Sequence, residues 1–137
     1  MRFENEQDLE RERKAIETYV GVFGGSFQKL GPNDIDYKVF DAKGKLVAYA
    51  EIKGRKRYIR DAYPLPISLN KLSKLQMKIL NPMCIWACDD GIIFGRPADL
   101  TGITKWGGRN PRDSAANDME LMVYYEKQKG LKYVRYK

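Results

Sequence analysis

Two stretches of alternating hydrophobicity flank a turn signal in the first half of the chain. They constrain the fold more than any other feature. Residues 34–41 place Ile35, Tyr37 and Val39 on one face and Asp34, Asp36 and Lys38 on the other. Residues 46–53 set Leu46, Ala48, Ala50 and Ile52 against Val47, Tyr49, Glu51 and Lys53. A period of two is the signature of a strand with one buried face. Between the runs, Asp41-Ala42-Lys43-Gly44-Lys45 supplies the turn formers that a tight reversal needs. Residues 34–53 therefore predict a β-hairpin. Its register is specified because a slip of one residue would turn the apolar set to water. A loop centred on Lys43-Gly44, or one spanning 42–45, sets Asp36 directly opposite Glu51.

The rest of the chain hangs on this hairpin. Residues 5–20 predict a helix, with Leu9, Ile16, Tyr19 and Phe23 at helical spacing and Val20 beside them. Glu12 interrupts that stripe, and Gly24-Gly25 ends it. Ser26–Leu30 predicts a short strand. Residues 54–67 read as a loop rich in Arg and Lys, with Pro64 and Pro66. Ser68 is placed to cap a second helix running through Leu80. Leu69, Leu72, Leu75 and Ile79 form its apolar face, Lys71, Lys74 and Lys78 line the opposite side, and Gln76 interrupts the 69-72-76-79 stripe. Met83–Ala87 predicts a buried strand, and Asp89-Asp90-Gly91 turns it into a second strand at Ile92–Phe94. Residues 95–118 read as a long irregular loop, Met119–Tyr125 as a last strand, and the tail as mobile or paired at a sheet edge. The 137 residues carry no repeat and no linker. One α/β or α+β domain over 1–137 is expected, with a mixed sheet flanked by helices.

Composition narrows the chemistry. The chain has no histidine, which excludes Ser-His and Cys-His nucleophile pairs and any His-containing zinc site. Cys84 and Cys88 are too few for a disulfide framework or a thiolate zinc site, and read as small buried hydrophobes. No apolar run is long enough for a membrane span, and the first residues lack the apolar core of a signal peptide, so a cytoplasmic protein is expected. The net charge of +7 is concentrated in residues 53–78: Lys53, Arg55, Lys56, Arg57, Arg60, Lys71, Lys74 and Lys78 stand against one acid, Asp61, while the remainder balances. Such a block attracts polyanions and points to nucleic acid, although a solvated basic face has the same composition.

The hairpin register brings two carboxylates together at the edge of this block. Directly opposed side chains have Cβ atoms about 4.5–5.5 Å apart. Two acids at that distance repel unless something compensates them. A hard divalent cation does so, with carboxylate oxygens and waters completing its shell. Lys53 lies two residues beyond Glu51 on the same face, where an ammonium can orient or help deprotonate a metal-bound water, or offset charge on a phosphate. A wet hairpin face carrying ordinary surface acids and lysines is the other reading, since acid-x-Lys triplets also occur at Asp36-Tyr37-Lys38 and Asp41-Ala42-Lys43.

Taken together, these residues resemble the PD-(D/E)XK nuclease superfamily, whose restriction-endonuclease-like fold has an αβββαβ core. The resemblance runs from about Glu10 to Ala87, with Asp36 and Glu51-Ile52-Lys53 as the motif and Glu12 as the acid of the first helix; Glu17 is the alternative. Gln76 and Lys74 fall where members carry polar residues on the second helix. The proline that nominally precedes the first acid is absent, Ile35 standing there instead. The resemblance implies an αβββαβ core with a C-terminal hairpin, loop and strand extension. It also implies metal-dependent hydrolysis of phosphodiester bonds. Asp36 and Glu51 would bind Mg²⁺ or Mn²⁺ with support from Glu12, and Lys53 would activate the water. The chain's size is similar to that of small phage-encoded nucleases, which implies a bacterial cell or a phage-infected host.

In the 95–118 segment, Lys105-Trp106-Gly107-Gly108-Arg109-Asn110-Pro111-Arg112 combines cations, glycines and an aromatic. Arg109 and Arg112 either grip phosphates, with Trp106 stacking on an exposed base, or pair with Asp118 and Glu120. Three functions compete. The first is a Mg²⁺-dependent nuclease acting on nucleic acid, most simply DNA. Arg55, Lys56, Arg57, Arg60, Lys71, Lys74 and Lys78 would then track the backbone. The second is a catalytically inactive nucleic-acid-binding domain on the same fold. The third is a protein-interaction module using the tyrosines near the C-terminus. The sequence leaves open DNA against RNA, strandedness, endo against exo cleavage, and a homodimer.

Overall fold

The computed structural model describes residues 6–31, 36–77, 81–108 and 119–137. The described residues fold as α+β: a mixed six-stranded sheet, a second three-stranded sheet, and two α-helices. Helix α1 spans Glu6–Gly21 and buries Ala15, Ile16, Tyr19 and Val20. Leu9 and Phe23, at the two ends of the expected stripe, are exposed instead: the helix buries its C-terminal half, Ala15 to Val20, while Leu9 lies in its N-terminal half and Phe23 beyond its end.

Strand β1 (Ser26–Lys29) pairs antiparallel with β2 (Tyr37–Phe40), and β2 with β3 (Leu46–Gly54). The hairpin forms as expected, with one refinement at its turn. The Asp41 amide donates to the Lys45 carbonyl (2.8 Å), and the Asp41 side chain accepts from the Lys43 and Lys45 amides (2.9 Å each). Gly44 takes φ +83°, a conformation that disfavours side chains. This loop is one residue shorter than a reversal about Lys43-Gly44, pairing Phe40 with Leu46. A bulge then leaves Val47 as the extra residue and restores the expected register, Val39 to Ala48 and Tyr37 to Ala50.

The segment after β3 differs from the expected plain loop. A short 3₁₀ turn at Ile59–Asp61 leads to strand β4 (Leu65–Ser68). Pro66 hides this strand from sequence reading, since proline cannot donate to a ladder. Strand β4 tolerates it as an edge strand, bonded among the described residues only to β8 (Met119–Tyr125). The Pro66 carbonyl, on the side away from β8, accepts the Trp86 indole N–H at 2.7 Å.

Ser68 caps helix α2 (Leu69–Gln76) as expected, its Oγ accepting the Lys71 amide at 3.3 Å. Leu72 and Leu75 are buried, whereas Gln76 is exposed rather than facing the core. Strand β5 (Pro82–Ala87) then pairs parallel with β3, and β6 (Gly91–Gly95) antiparallel with β5. Strand β7 (Ile103–Gly108) occupies part of the expected loop and joins β8. Residues 103–106 are all exposed and glycines end the run, so no alternation marks it as a strand. Of the two readings of the tail, edge pairing holds: β9 (Lys132–Arg135) adds to β6.

The six-stranded order is β1-β2-β3-β5-β6-β9, and the second sheet runs β4-β8-β7. Helix α1 covers one face of the large sheet through Ala48, Ala50, Ile52, Ile85 and Ile92. Helix α2 and the small sheet cover the other, where Leu65, Ile67, Leu75, Val123 and Tyr125 close on Cys84, Trp86 and Ile93. Both cysteines are free and buried. Burial pushes both thiols up, that of Cys88 to about 12, which removes them as nucleophiles at neutral pH. Among the described residues, no helix is long and apolar enough to cross a membrane.

Candidate functional site

Strand alternation in β3 decides which side chains reach the site. Ala48, Ala50 and Ile52 turn to α1, so Glu51 and Lys53 turn to the α2 face. Asp36 immediately precedes β2, one position beyond the Tyr37–Ala50 pair, which brings it to Glu51 as the hairpin register predicts. Two bonds fix it. Its backbone carbonyl accepts the Leu30 amide at 2.8 Å, and its Oδ2 accepts the Ile52 amide at 2.9 Å.

Glu51 is the one charged side chain among the buried residues described, at 4% exposure. Burial, and then the charge of Asp36, push its carboxyl up to about 7; the Lys71 ammonium opposes the rise. The Asp36 carboxyl is also raised, first by burial and further by Glu12, against the Ile52 amide, Lys71 and Lys29. Asp36 thus feels the charges of Glu12, Lys71 and Lys29, and Glu51 those of Asp36, Lys71 and Glu12.

Glu12 points inward from α1, only 14% exposed, and is partnered. Its Oε1 accepts from Lys29 Nζ at 2.5 Å and from the Tyr37 hydroxyl at 2.7 Å. These bonds explain how a carboxylate can interrupt an apolar stripe. Sequence reasoning missed Lys29 and Tyr37. The signal was their pairing: antiparallel β1 and β2 set Lys29 opposite Tyr37. Glu17 lies on an exposed part of α1.

The basic block separates by environment. Lys71, expected on the phosphate-facing side of α2, instead reaches Glu51, with Nζ 3.3 Å from Oε2. Arg55 is half-buried and holds its own loop, donating to the Ala62 carbonyl (2.8 Å) and the Pro64 carbonyl (3.1 Å); burial lowers its pKa. Lys56, Arg57, Arg60 and Lys74 are exposed. Arg60 lies over the Tyr58 ring (5.9 Å) and beside Asp61 (3.5 Å). Lys53 is half-buried, on the Glu51 face and paired in register with Trp86. Lys78, Arg109 and Arg112 lie outside the described residues.

The donor set at Asp36 and Glu51 consists of hard oxygens, suited to Mg²⁺ or Mn²⁺ with water filling the remaining positions. Both carboxyls are destabilised as anions, and a cation would relieve that. Among the described residues, no group of three or more His, Cys, Asp or Glu side chains gathers at metal-binding spacing. Comparison with protein-family models, with curated proteins and with solved structures finds no match for this chain.

Proposed function

We propose that this chain is a metal-dependent nuclease of the PD-(D/E)XK type, hydrolysing phosphodiester bonds of nucleic acid, most simply DNA. The observation that carries the reading is the buried Glu51 with the half-buried Asp36 fixed beside it at the end of the β2–β3 hairpin, followed in sequence by the half-buried Lys53 and Arg55 and the exposed Lys56, Arg57 and Arg60. The element order supports it. With β4 set aside as an insertion, α1, β1, β2, β3, α2 and β5 follow the αβββαβ order of that fold, and β3 and β5 are parallel.

In this reading Asp36 and Glu51 hold Mg²⁺ or Mn²⁺. Such a cation, when bound, supplies Lewis-acid activation of water and charge neutralisation at the phosphate. Lys53 presents an ammonium on the same face to orient the nucleophile. Glu12 positions the site through Tyr37 and Lys29 rather than through a free carboxylate. Lys56, Arg57, Arg60 and Lys74 hold the phosphate backbone.

The Lys29–Glu12–Tyr37 network favours a second reading, a binding domain without catalysis, because it engages the third carboxylate internally. A cleavage assay separates the two. Supercoiled plasmid and short single-stranded DNA are incubated with Mg²⁺, Mn²⁺ or EDTA, with Asp36→Asn and Lys53→Ala beside the unaltered protein. Metal-dependent cutting lost in both variants supports the nuclease. DNA binding with no cutting under any metal supports the binding domain.

A further inference from the structure

Lys71 has a fixed root and a hydrated end. Its amide is capped by Ser68 and the next residue, Leu72, is buried, yet its side chain is 57% exposed. That side chain enters the site only to place Nζ 3.3 Å from Oε2 of a carboxylate that is 4% exposed. A buried carboxylate needs a cation, and here the protein supplies one from its own second helix. The partner is a long, flexible lysine whose own side chain is mostly hydrated, so it can return to water once another cation takes its place on the carboxylate. A divalent ion on the same carboxylate would face a like charge within a few ångströms.

We propose that Lys71 is a displaceable internal counter-ion: its ammonium and a divalent cation compete for the Glu51 carboxylate, and metal uptake releases Lys71 from the site. This inference rests on the metal-binding reading above. It turns a lysine that sequence alone assigns to phosphate contact into a gate on the metal position. Released, the same side chain stands on the face that carries Lys74.

The test is calorimetric titration with Mn²⁺ in the absence of nucleic acid, on the unaltered protein and on Lys71→Met, Lys74→Met and Asp36→Asn. Lys71→Met keeps the aliphatic stem at an exposed position; Lys71→Gln is the second variant should the first fold poorly. Removing the competing charge is expected to tighten Mn²⁺ binding roughly three- to tenfold. Lys74→Met should leave it unchanged and Asp36→Asn should abolish it. Amine-selective acylation gives an independent readout: modification of Lys71, normalised to Lys74, should rise when Mn²⁺ is added. Equal or weaker Mn²⁺ affinity in Lys71→Met, with uptake still lost in Asp36→Asn, overturns the role of Lys71 and leaves the metal site standing. No Mn²⁺ uptake by any form removes the metal site and this proposal together.

Discussion

The Asp36 carboxylate accepts the backbone amide of Ile52, the residue that follows Glu51, at 2.9 Å. One bond thus satisfies a strand amide just past the end of the β2–β3 ladder and fixes an acid beside the buried Glu51. Structure and chemistry at Asp36 can therefore be separated by choice of substitution. Asp36→Asn keeps an acceptor for the amide and removes the charge. It should melt within a few degrees of the unaltered protein while metal-dependent cleavage falls at least about a hundredfold. Asp36→Ala leaves the amide without its partner and should in addition cost about 1–3 kcal/mol of stability. Thermal melts run beside the cleavage assay check both, and an active Asp36→Asn protein would remove Asp36 from the proposed site.

Glu51 makes the fold sensitive to pH in a defined direction. Its carboxyl is raised from an ordinary value near 4.5 to about 7 in the folded chain, by burial and by Asp36. The folded state therefore holds the proton more tightly than the unfolded state does. The associated stability is fully present below the ordinary carboxyl range and is lost as pH rises to about 7. The shift corresponds to about 3 kcal/mol. Glu51→Gln removes this titration, so its stability relative to the unaltered protein should rise between pH 5 and pH 8. Denaturant unfolding at both pH values in EDTA measures the change, and parallel behaviour of the two proteins would show that Glu51 does not titrate as described.

Much of the fold is legible in the sequence where the physics is local. The alternation over residues 37–53, the Asp41–Lys45 turn and the Ser68 cap each depend on neighbouring residues, and each appears in the structure, while Asp34 and Ile35 lie outside the described residues. The bulge at Val47 was not legible, because a shifted turn followed by a bulge restores the same register, and hence the same alternation, as a turn without one. Strands β4 and β7 were hidden for separate reasons. Pro64 and Pro66 argue against a strand unless an edge is known to be free, and β7 buries no alternating face that would mark it. Both belong to the second sheet, whose existence depends on contacts from Leu65 to Tyr125 across the sequence.

For the site, register placed Asp36 beside Glu51 because hairpin pairing is set by nearby residues. The partners of the acids were not legible. Lys71 meets Glu51 only because α2 crosses the sheet there, and no spacing rule connects a helix position to a strand position. Helical periodicity likewise put Gln76 on the buried stripe, whereas the short helix packs through Leu72 and Leu75 and leaves Gln76 exposed.

Arg55 and its neighbours should behave differently although they share a charge. Arg55 donates to two carbonyls of its own loop, so Arg55→Ala should lower the melting temperature. Lys56→Ala and Arg57→Ala, at exposed positions, should leave the melt nearly unchanged. Each should instead reduce the slope of log affinity against log salt for DNA by about one, as expected for the loss of one phosphate contact. Binding measured in EDTA over a range of salt concentrations, alongside melts, distinguishes the two classes. Unaltered slopes in both exposed variants would place the nucleic acid elsewhere.

The two tryptophans offer a direct optical test of where a base could stack. Trp86 is fully buried, donates to the Pro66 carbonyl and meets the Tyr125 ring edge-on. Trp106 is 65% exposed and lines a groove of about 400 Å³ with Leu69, Ser73 and Leu121, between α2 and the β7–β8 pair. Emission from Trp86 should therefore be blue-shifted and shielded, and that from Trp106 red-shifted and open to quenchers. If a base of the bound strand stacks on Trp106, a short single-stranded oligonucleotide in EDTA should quench the red component and leave the blue one. Trp106→Ala should weaken that binding roughly 5- to 150-fold, the range for losing one base–aromatic stack, while Trp106→Phe should retain most of it. Quenching by blunt duplex to the same extent would argue against an unpaired base, and an unchanged red emission at saturating oligonucleotide would remove Trp106 from the interface.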